Sequence, residues 1–444
     1  MNETWLQYLP TTLRDKVADR RALHTIISST AWLFADNILK MVVGLLVGIW
    51  VTRYLGPEKL GLLSYAIALV TLFSSIAMLG LDGIVVRNIV TTPDRRDEIL
   101  GSAFALKLAS GLTATVLVLA ATMALRPADN QTLLLVAITA IGLILQPFST
   151  IDLWFQSQVK SKFSVWVRIT TCLLIAVAKI PLVIYHAPLT AFAWAGAADV
   201  LLGSIGLVLA YRHSALRITA WRCSMPMVRE LFRDGVPLML TDIVIYAYLR
   251  IDKIILGEIS GDTELGIYAI AAMLAEAFYF IPMAIATALF PAVVAARESG
   301  EDIFHDRLQK YYNLMALLGY AVAVPVTLLA CWLIPLMYGQ AFAKAGPMLI
   351  GLTWAGLFYN LTIVRGQYLT AINWTRLHFV MDFLGCVANV SLNVILIPNF
   401  GGMGAVIATL ISYWLTTHGL CFFYKPLRRS GMMMTRAMLY PKIW

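Results

Sequence analysis

The feature that most constrains this chain is a succession of long apolar runs, each near the ~20 residues that an α-helix needs to cross a hydrocarbon layer ~30 Å thick. Bounded by Gly, Pro or charge, they fall at 26–52, 61–82, 100–124, 131–150, 165–186, 189–211, 234–257, 265–291, 311–338, 346–371, 374–398 and 402–424. A segment inside lipid must satisfy its own backbone N–H and C=O groups, and runs this long do so as helices. The predicted fold is an all-α membrane protein of twelve transmembrane helices. Composition agrees, because 60% of the 444 residues are hydrophobic, 13% are charged and the mean hydropathy is +0.77, outside the range of soluble domains.

A net charge of +9 would point to nucleic acid only if it formed a basic patch on a soluble face. Here the positive residues sort by side. Arg14, Lys16, Arg20 and Arg21, then Arg95 and Arg96, Lys160 and Lys162, Arg212, Arg217, Arg222, Arg229 and Arg233, and finally Arg428, Arg429 and Arg436 share one side, whereas Arg53, Lys59, Arg126 and Lys344 are those of the other. Positive charge marks the cytoplasmic side, so both termini are expected in the cytoplasm. Residues 1–25 lack a short apolar stretch ending in a cleavage site, and no cleavable leader is expected. Cys172, Cys223, Cys331, Cys386 and Cys421 show no CxxC or Cys/His spacing, so neither a disulfide nor a metal site is predicted. Nucleotide-binding and nucleophile-elbow motifs are lacking as well, and no cofactor is expected.

The segment Leu60-Gly61-Leu62-Leu63-Ser64-Tyr65-Ala66-Ile67-Ala68 recurs, two residues shorter, as Leu265-Gly266-Ile267-Tyr268-Ala269-Ile270-Ala271. One copy opens the second helix and the other the eighth. The chain then divides into an N-terminal segment 1–25, a six-helix lobe 26–211, a basic linker 212–233, a second six-helix lobe 234–424 and a basic tail 425–444, read as an amphipathic segment on the inner leaflet. Lobes of six share one orientation, which puts their symmetry axis along the membrane normal and a central cavity between them.

Thr52–Gly61 (TRYLGPEKLG) resembles the turn between the first and second helices of polysaccharide-unit flippases of the multidrug/oligosaccharidyl-lipid/polysaccharide exporter superfamily. Further similarity lies in GLDGIVVRN at 80–88, DGVPLML at 234–240, RIDKIILGEISGDTELGIYAIA at 250–271 and NVSLNVILIPNFGGMGA at 389–405. The resemblance implies a two-lobed bundle in the bacterial inner membrane. Such a bundle would move undecaprenyl-pyrophosphate-linked oligosaccharide between leaflets by alternating access, for O-antigen or exopolysaccharide synthesis. Membrane lipids, a coupling ion (H+ or Na+) and proteins of polysaccharide export or polymerisation are the partners it implies.

Charges inside the predicted spans are costly, about 2.5–3.5 kcal/mol each at a helix centre by insertion scales, and so should face a wet interior. Asp36 and Lys40 are spaced i, i+4 on the first helix. Asp242, Tyr246, Arg250 and Lys253 form one stripe on the seventh. With Arg365, Lys107 and Lys179, these residues are predicted to line a cavity whose cations meet the pyrophosphate, Asp36 and Asp242 holding the cations in place or exchanging protons. For Lys107 and Lys253, nearer helix ends, ion pairing or snorkelling is the stronger reading. Trp154 and other tryptophans near predicted ends read as interfacial anchors. Two alternatives stay open: a cation-coupled drug or metabolite antiporter of the same superfamily, whose cavity would be acid-rich, and a membrane oligosaccharide polymerase, which would carry a large external loop absent here.

Overall fold

The computed structural model describes residues 21–442 other than 215 and 299, with the side chains of 21–38, 40 and 298 outside the described set. Helix α1 (Arg21–Met78) folds back on itself at Gly56. It is followed by α2 (Leu81–Thr91), α3 (Arg96–Leu125), α4 (Asn130–Leu145), α5 (Thr150–Ser157), α6 (Lys162–Ile184) and α7 (Leu189–His213). After the linker come α8 (Met225–Ile259), α9 (Gly261–Glu276), α10 (Phe280–Glu298), α11 (Glu301–Tyr338), α12 (Ala345–Ala371), α13 (Thr375–Phe400), α14 (Gly402–Trp414), α15 (Leu420–Phe423) and α16 (Arg428–Leu439).

Ten described stretches are long and apolar enough to cross a membrane. Twelve crossings result because Gly56 divides the Met41–Thr91 stretch in two, and because α8 crosses despite the charges of Asp242, Arg250, Asp252 and Lys253. Each lobe has six. The second and eighth crossings are broken helices, α1 giving way to α2 at Leu79 and Gly80, and α9 to α10 at residues 277–279.

The internal repeat is longer in space than in sequence. Gly56 (φ 72°) and Gly261 (φ 83°) both adopt the positive-φ backbone that a Cβ opposes, and each starts a Gly-x-x-x-Leu-Gly segment, GPEKLG or GDTELG. Each glycine makes a hairpin between long helices, and the two hairpins cross at Gly61 and Gly266. A Cβ built on Gly61 would lie 1.8 Å from the Asp262 carbonyl oxygen, and one on Gly266 would lie 1.8 Å from that of Pro57. These reciprocal contacts express the pseudo-twofold axis, and small residues permit them as they do wherever membrane helices touch closely.

Burial is asymmetric along that axis. On the face of the two hairpins, here the far face, one apolar core runs through both lobes, from Tyr65, Leu69 and Val118 to Leu256, Leu265 and Ala271. Toward the opposite face, which carries the linker, the packing splits into two cores: Leu81, Val85, Leu100 and Phe155 of the first lobe with Met227 and Leu231 of α8, and Tyr312, Met315, Leu361 and Val364 within the second. Arg126, at the end of α3, fastens the far face. It reaches Glu258 (2.8 Å), Asp262 (3.0 Å) and the Gly257 carbonyl (3.0 Å), with its guanidinium 4.0 Å above the Tyr65 ring.

Three expectations change. Helix α8 begins at Met225, inside the segment read as linker, because Met227 and Leu231 are buried against the first lobe while Arg229 and Arg233 stay exposed. Helix α16 does not present its apolar side to lipid. Met433, Met434 and Ala437 pack on the second lobe, and Tyr312 Oη lies 2.8 Å from Ser430 Oγ. Trp154 is no interfacial anchor, being 6% exposed and edge-on to Tyr211.

Candidate functional site

The broken helices bring acids to cations near the middle of the bundle. Where α2 begins, Asp82 lies 2.7 Å from Lys107 Nζ, which is fully buried and 3.3 Å from Ser149 Oγ. Where α9 ends, Glu276 accepts two bonds from Arg250 Nη1 (2.9 and 3.0 Å) and one from Lys253 Nζ (3.1 Å). Asp252, next along α8, accepts instead from Tyr268 and from the Lys253 amide. Asp242 and Tyr246 are half-buried on the same helix, Asp242 within electrostatic reach of Asp82, and Tyr246 within reach of both acids and of Arg250. Asp242 and Tyr246 are thus the part of the stripe near Asp82 of the first lobe, while Arg250 and Lys253 pair within the second.

Arg365 lies elsewhere. It is fully buried on α12, 2.9 Å from Asp382 on α13, and it donates to the carbonyl of Thr416 in the π-helical stretch Leu415–Gly419 that joins α14 to α15. A π-turn frees a carbonyl from its helical bond, and the guanidinium fills the vacancy. Seen along its own helix Arg365 has no acid; the neighbouring helix supplies one. His378, one turn before Asp382, places Nδ1 3.2 Å from that carboxylate. Lys179 is half-buried on α6 and makes no ion pair among the described residues. Asp36 and Lys40 lie outside the described side chains.

Beside the Arg365–Asp382–His378 group a chamber of about 490 Å³ opens between α8, α10, α12, α13 and α14. Tyr248, Tyr359 and Tyr413 enter its wall with Gln367, His378 and Asp382. Tyr359 stacks on Tyr279 with ring centres 4.1 Å apart, and Tyr413 stands edge-on to Tyr248 at 5.1 Å. Tyr359 and Gln367 share α12, whereas Tyr248, His378 and Tyr413 each stand alone as one aromatic or polar residue in an apolar run of a different helix, so the group draws on four helices and no local pattern announces it.

Two family models match the chain: "Polysaccharide biosynthesis protein" over residues 26–297 and "MatE" over residues 237–395. A curated relative, the "Probable flippase AglR" of Haloferax volcanii, is 25% identical over 87% of this chain and 81% of its own length. Among solved structures, an inward-facing multidrug resistance MATE family transporter superposes with a TM-score of 0.72 at 16% identity, covering 91% of this chain and 99% of that one. The lipid II flippase MurJ in an inward closed conformation superposes with a TM-score of 0.71 at 15% identity, covering 94% and 91%. The chain belongs to the polysaccharide biosynthesis protein family.

Proposed function

We propose that the protein flips a lipid-linked, pyrophosphate-bearing oligosaccharide across the bacterial inner membrane, with the linker face and both termini in the cytoplasm. The observation that carries this reading is the asymmetry of the cores: one core shared by the lobes at the far face, two separate cores at the linker face. Such a pair of bodies, 26–211 and 234–424, rocks about a central site by exchanging which end is packed.

Pairing of the intramembrane cations fits an anionic head group. An unpaired cation in the empty carrier would carry the desolvation cost alone. Glu276 holds Arg250 and Lys253 in place, yet Arg250 uses one of its nitrogens and Lys253 one of its three protons in doing so, leaving N–H donors for phosphate oxygens. Asp242 and Asp82 are the acids placed to exchange H+ or Na+ as a coupling ion. A second reading, a cation-coupled antiporter, is favoured by Asp242, which makes no ion pair among the described residues.

The test is surface glycan in a host deleted for the gene, complemented with wild type or with Lys40→Ala plus Arg250→Ala at matched protein level, while lipid-linked units are followed on each leaflet. Loss of glycan, with units held on the cytoplasmic leaflet in the deletion and in the double variant, is expected. Unchanged glycan in the deletion overturns the flippase reading and directs attention to drug efflux. Full activity of the double variant overturns the role of its cations.

A further inference from the structure

We infer that the chamber in the second lobe is a sugar-binding subsite, holding one or two uncharged sugar residues of the glycan, apart from the place where the pyrophosphate binds. The inference rests on the flippase reading and adds a ligand class and an address to it. A cavity of about 490 Å³ falls within the ~300–1,000 Å³ of small-molecule sites, and its wall selects among the three parts of a lipid-linked glycan.

Phosphate is disfavoured. The basic groups at the chamber are Arg365, fully buried and committed to Asp382 and the Thr416 carbonyl, and His378 beside the same carboxylate. Among the described residues no free cation meets an anion there, and the Asp382 carboxylate repels one. A prenyl tail is disfavoured for the opposite reason. It would strip water from Asp382, from His378 and from the hydroxyls of Tyr359 and Tyr413, which make no hydrogen bond among the described residues, and would offer no partner in exchange.

A sugar suits both halves of the wall. Its hydroxyls donate to Asp382 and to the hydroxyl oxygens of Thr287, Thr362 and Thr370 in the wall, and accept from the tyrosine hydroxyls. Its C–H faces lie on the rings of Tyr359 and Tyr248, which supply large apolar area at low entropic cost. The stack of Tyr279 on Tyr359 (4.1 Å) and the bonds of Gln367 to Tyr311 (3.0 Å) and to the Ala286 carbonyl (2.9 Å) hold the wall rigid before any ligand arrives.

The experiment uses the full chain in detergent and two probes: the free repeat-unit oligosaccharide released by mild acid from the host's own lipid-linked pool, and inorganic pyrophosphate. Binding is read as ligand-induced thermal stabilisation over a concentration series. Tyr359→Ala should weaken oligosaccharide binding about tenfold or more, the loss of a hydrogen bond with its ring contact, while Tyr359→Phe loses only the hydroxyl share and pyrophosphate responds alike in all three proteins. Tyr359→Phe also serves if Tyr359→Ala fails to fold. Oligosaccharide affinity unchanged in the variants overturns the subsite. So does an oligosaccharide that fails to bind wild type in a host whose deletion loses surface glycan, and there the flippase reading stands. Intact glycan in the deletion host overturns both.

Discussion

Arg126→Ala should release the far-face seal. The side chain is 11% exposed and belongs to the first lobe, yet its strongest partners, Glu258, Asp262 and the Gly257 carbonyl, belong to the second. Truncating one member of a buried, hydrogen-bonded charge pair costs about 2–5 kcal/mol. The low end applies here, because Glu258 and Asp262 are 27% and 23% exposed and regain water. About 2 kcal/mol taken from the far-closed state alone raises the ratio of far-open to far-closed molecules ~30-fold. Ala68, 2% exposed within the shared core, reports on it. In a background with Cys172, Cys223, Cys331, Cys386 and Cys421 replaced, an Ala68→Cys protein should react with a membrane-impermeant maleimide ~30-fold faster once Arg126→Ala is added. Arg126→Lys, which keeps charge but not the guanidinium fork, should fall between. An unaltered labelling rate in a folded Arg126→Ala protein would refute the reasoning, since the lobes would then be held by the glycine crossing alone.

Three further outcomes follow from the geometry. Gly266→Ala should abolish far-face closure and transport at normal protein level, because its Cβ would lie 1.8 Å from the Pro57 carbonyl, whereas Gly83→Ala, with open space around it, should do neither; the Ala68→Cys labelling assay and glycan export check both. Arg365→Ala should lower thermal stability by an amount corresponding to about 3 kcal/mol, the low end for a broken buried pair because Asp382, 23% exposed, regains water, and Arg365→Met with Asp382→Leu should regain most of it; equal melting of single and double variants would count against the pair. Asp129 caps α4, and although burial opposes its charge, the hydroxyl and amide of Thr132 together with Arg126 hold its carboxyl below the usual carboxylate range. A depressed folded pKa contributes stability above the ordinary carboxylate range and loses it as pH falls through the folded value. Asp129→Ala should therefore cost about 1 kcal/mol near neutral pH and progressively less on acidification, as read from melting curves over pH.

Much of the fold was legible because lipid leaves a chain few choices. Runs of apolar residues had to be helices, and the side preference of Lys and Arg set their alternation. Even the symmetry left a trace at Leu60-Gly61 and Leu265-Gly266, although its start at Gly56 and Gly261 was hidden where Pro57-Glu58-Lys59 faces Asp262-Thr263-Glu264. Ion pairs were legible only as far as one helix reaches. Arg365 read as a cation without an acid, and Lys107 as a cation paired within its helix or snorkelling from its end; both are buried against carboxylates of other helices. The break at residues 277–279, which aims Glu276, passed as a continuous run because hydropathy does not register a lost backbone bond, and the helix Leu81–Thr91 that carries Asp82 lay almost wholly beyond the run 61–82.

By itself, the sequence determined that this chain spans a membrane many times as helices, that it has two related halves, and which family it belongs to. These rest on local quantities, namely run length, charge beside each run and short motifs, and no contact is needed to read them. Tertiary structure alone decided which face the lobes share a core on, which acid answers each buried cation, and that tyrosines from α8, α12 and α14 meet around one chamber. Each of those is a distance between residues far apart along the chain. In a bundle without a hydrophobic drive between helices such distances are set by the close fit of small residues and by polar pairs, which act only once the helices are side by side.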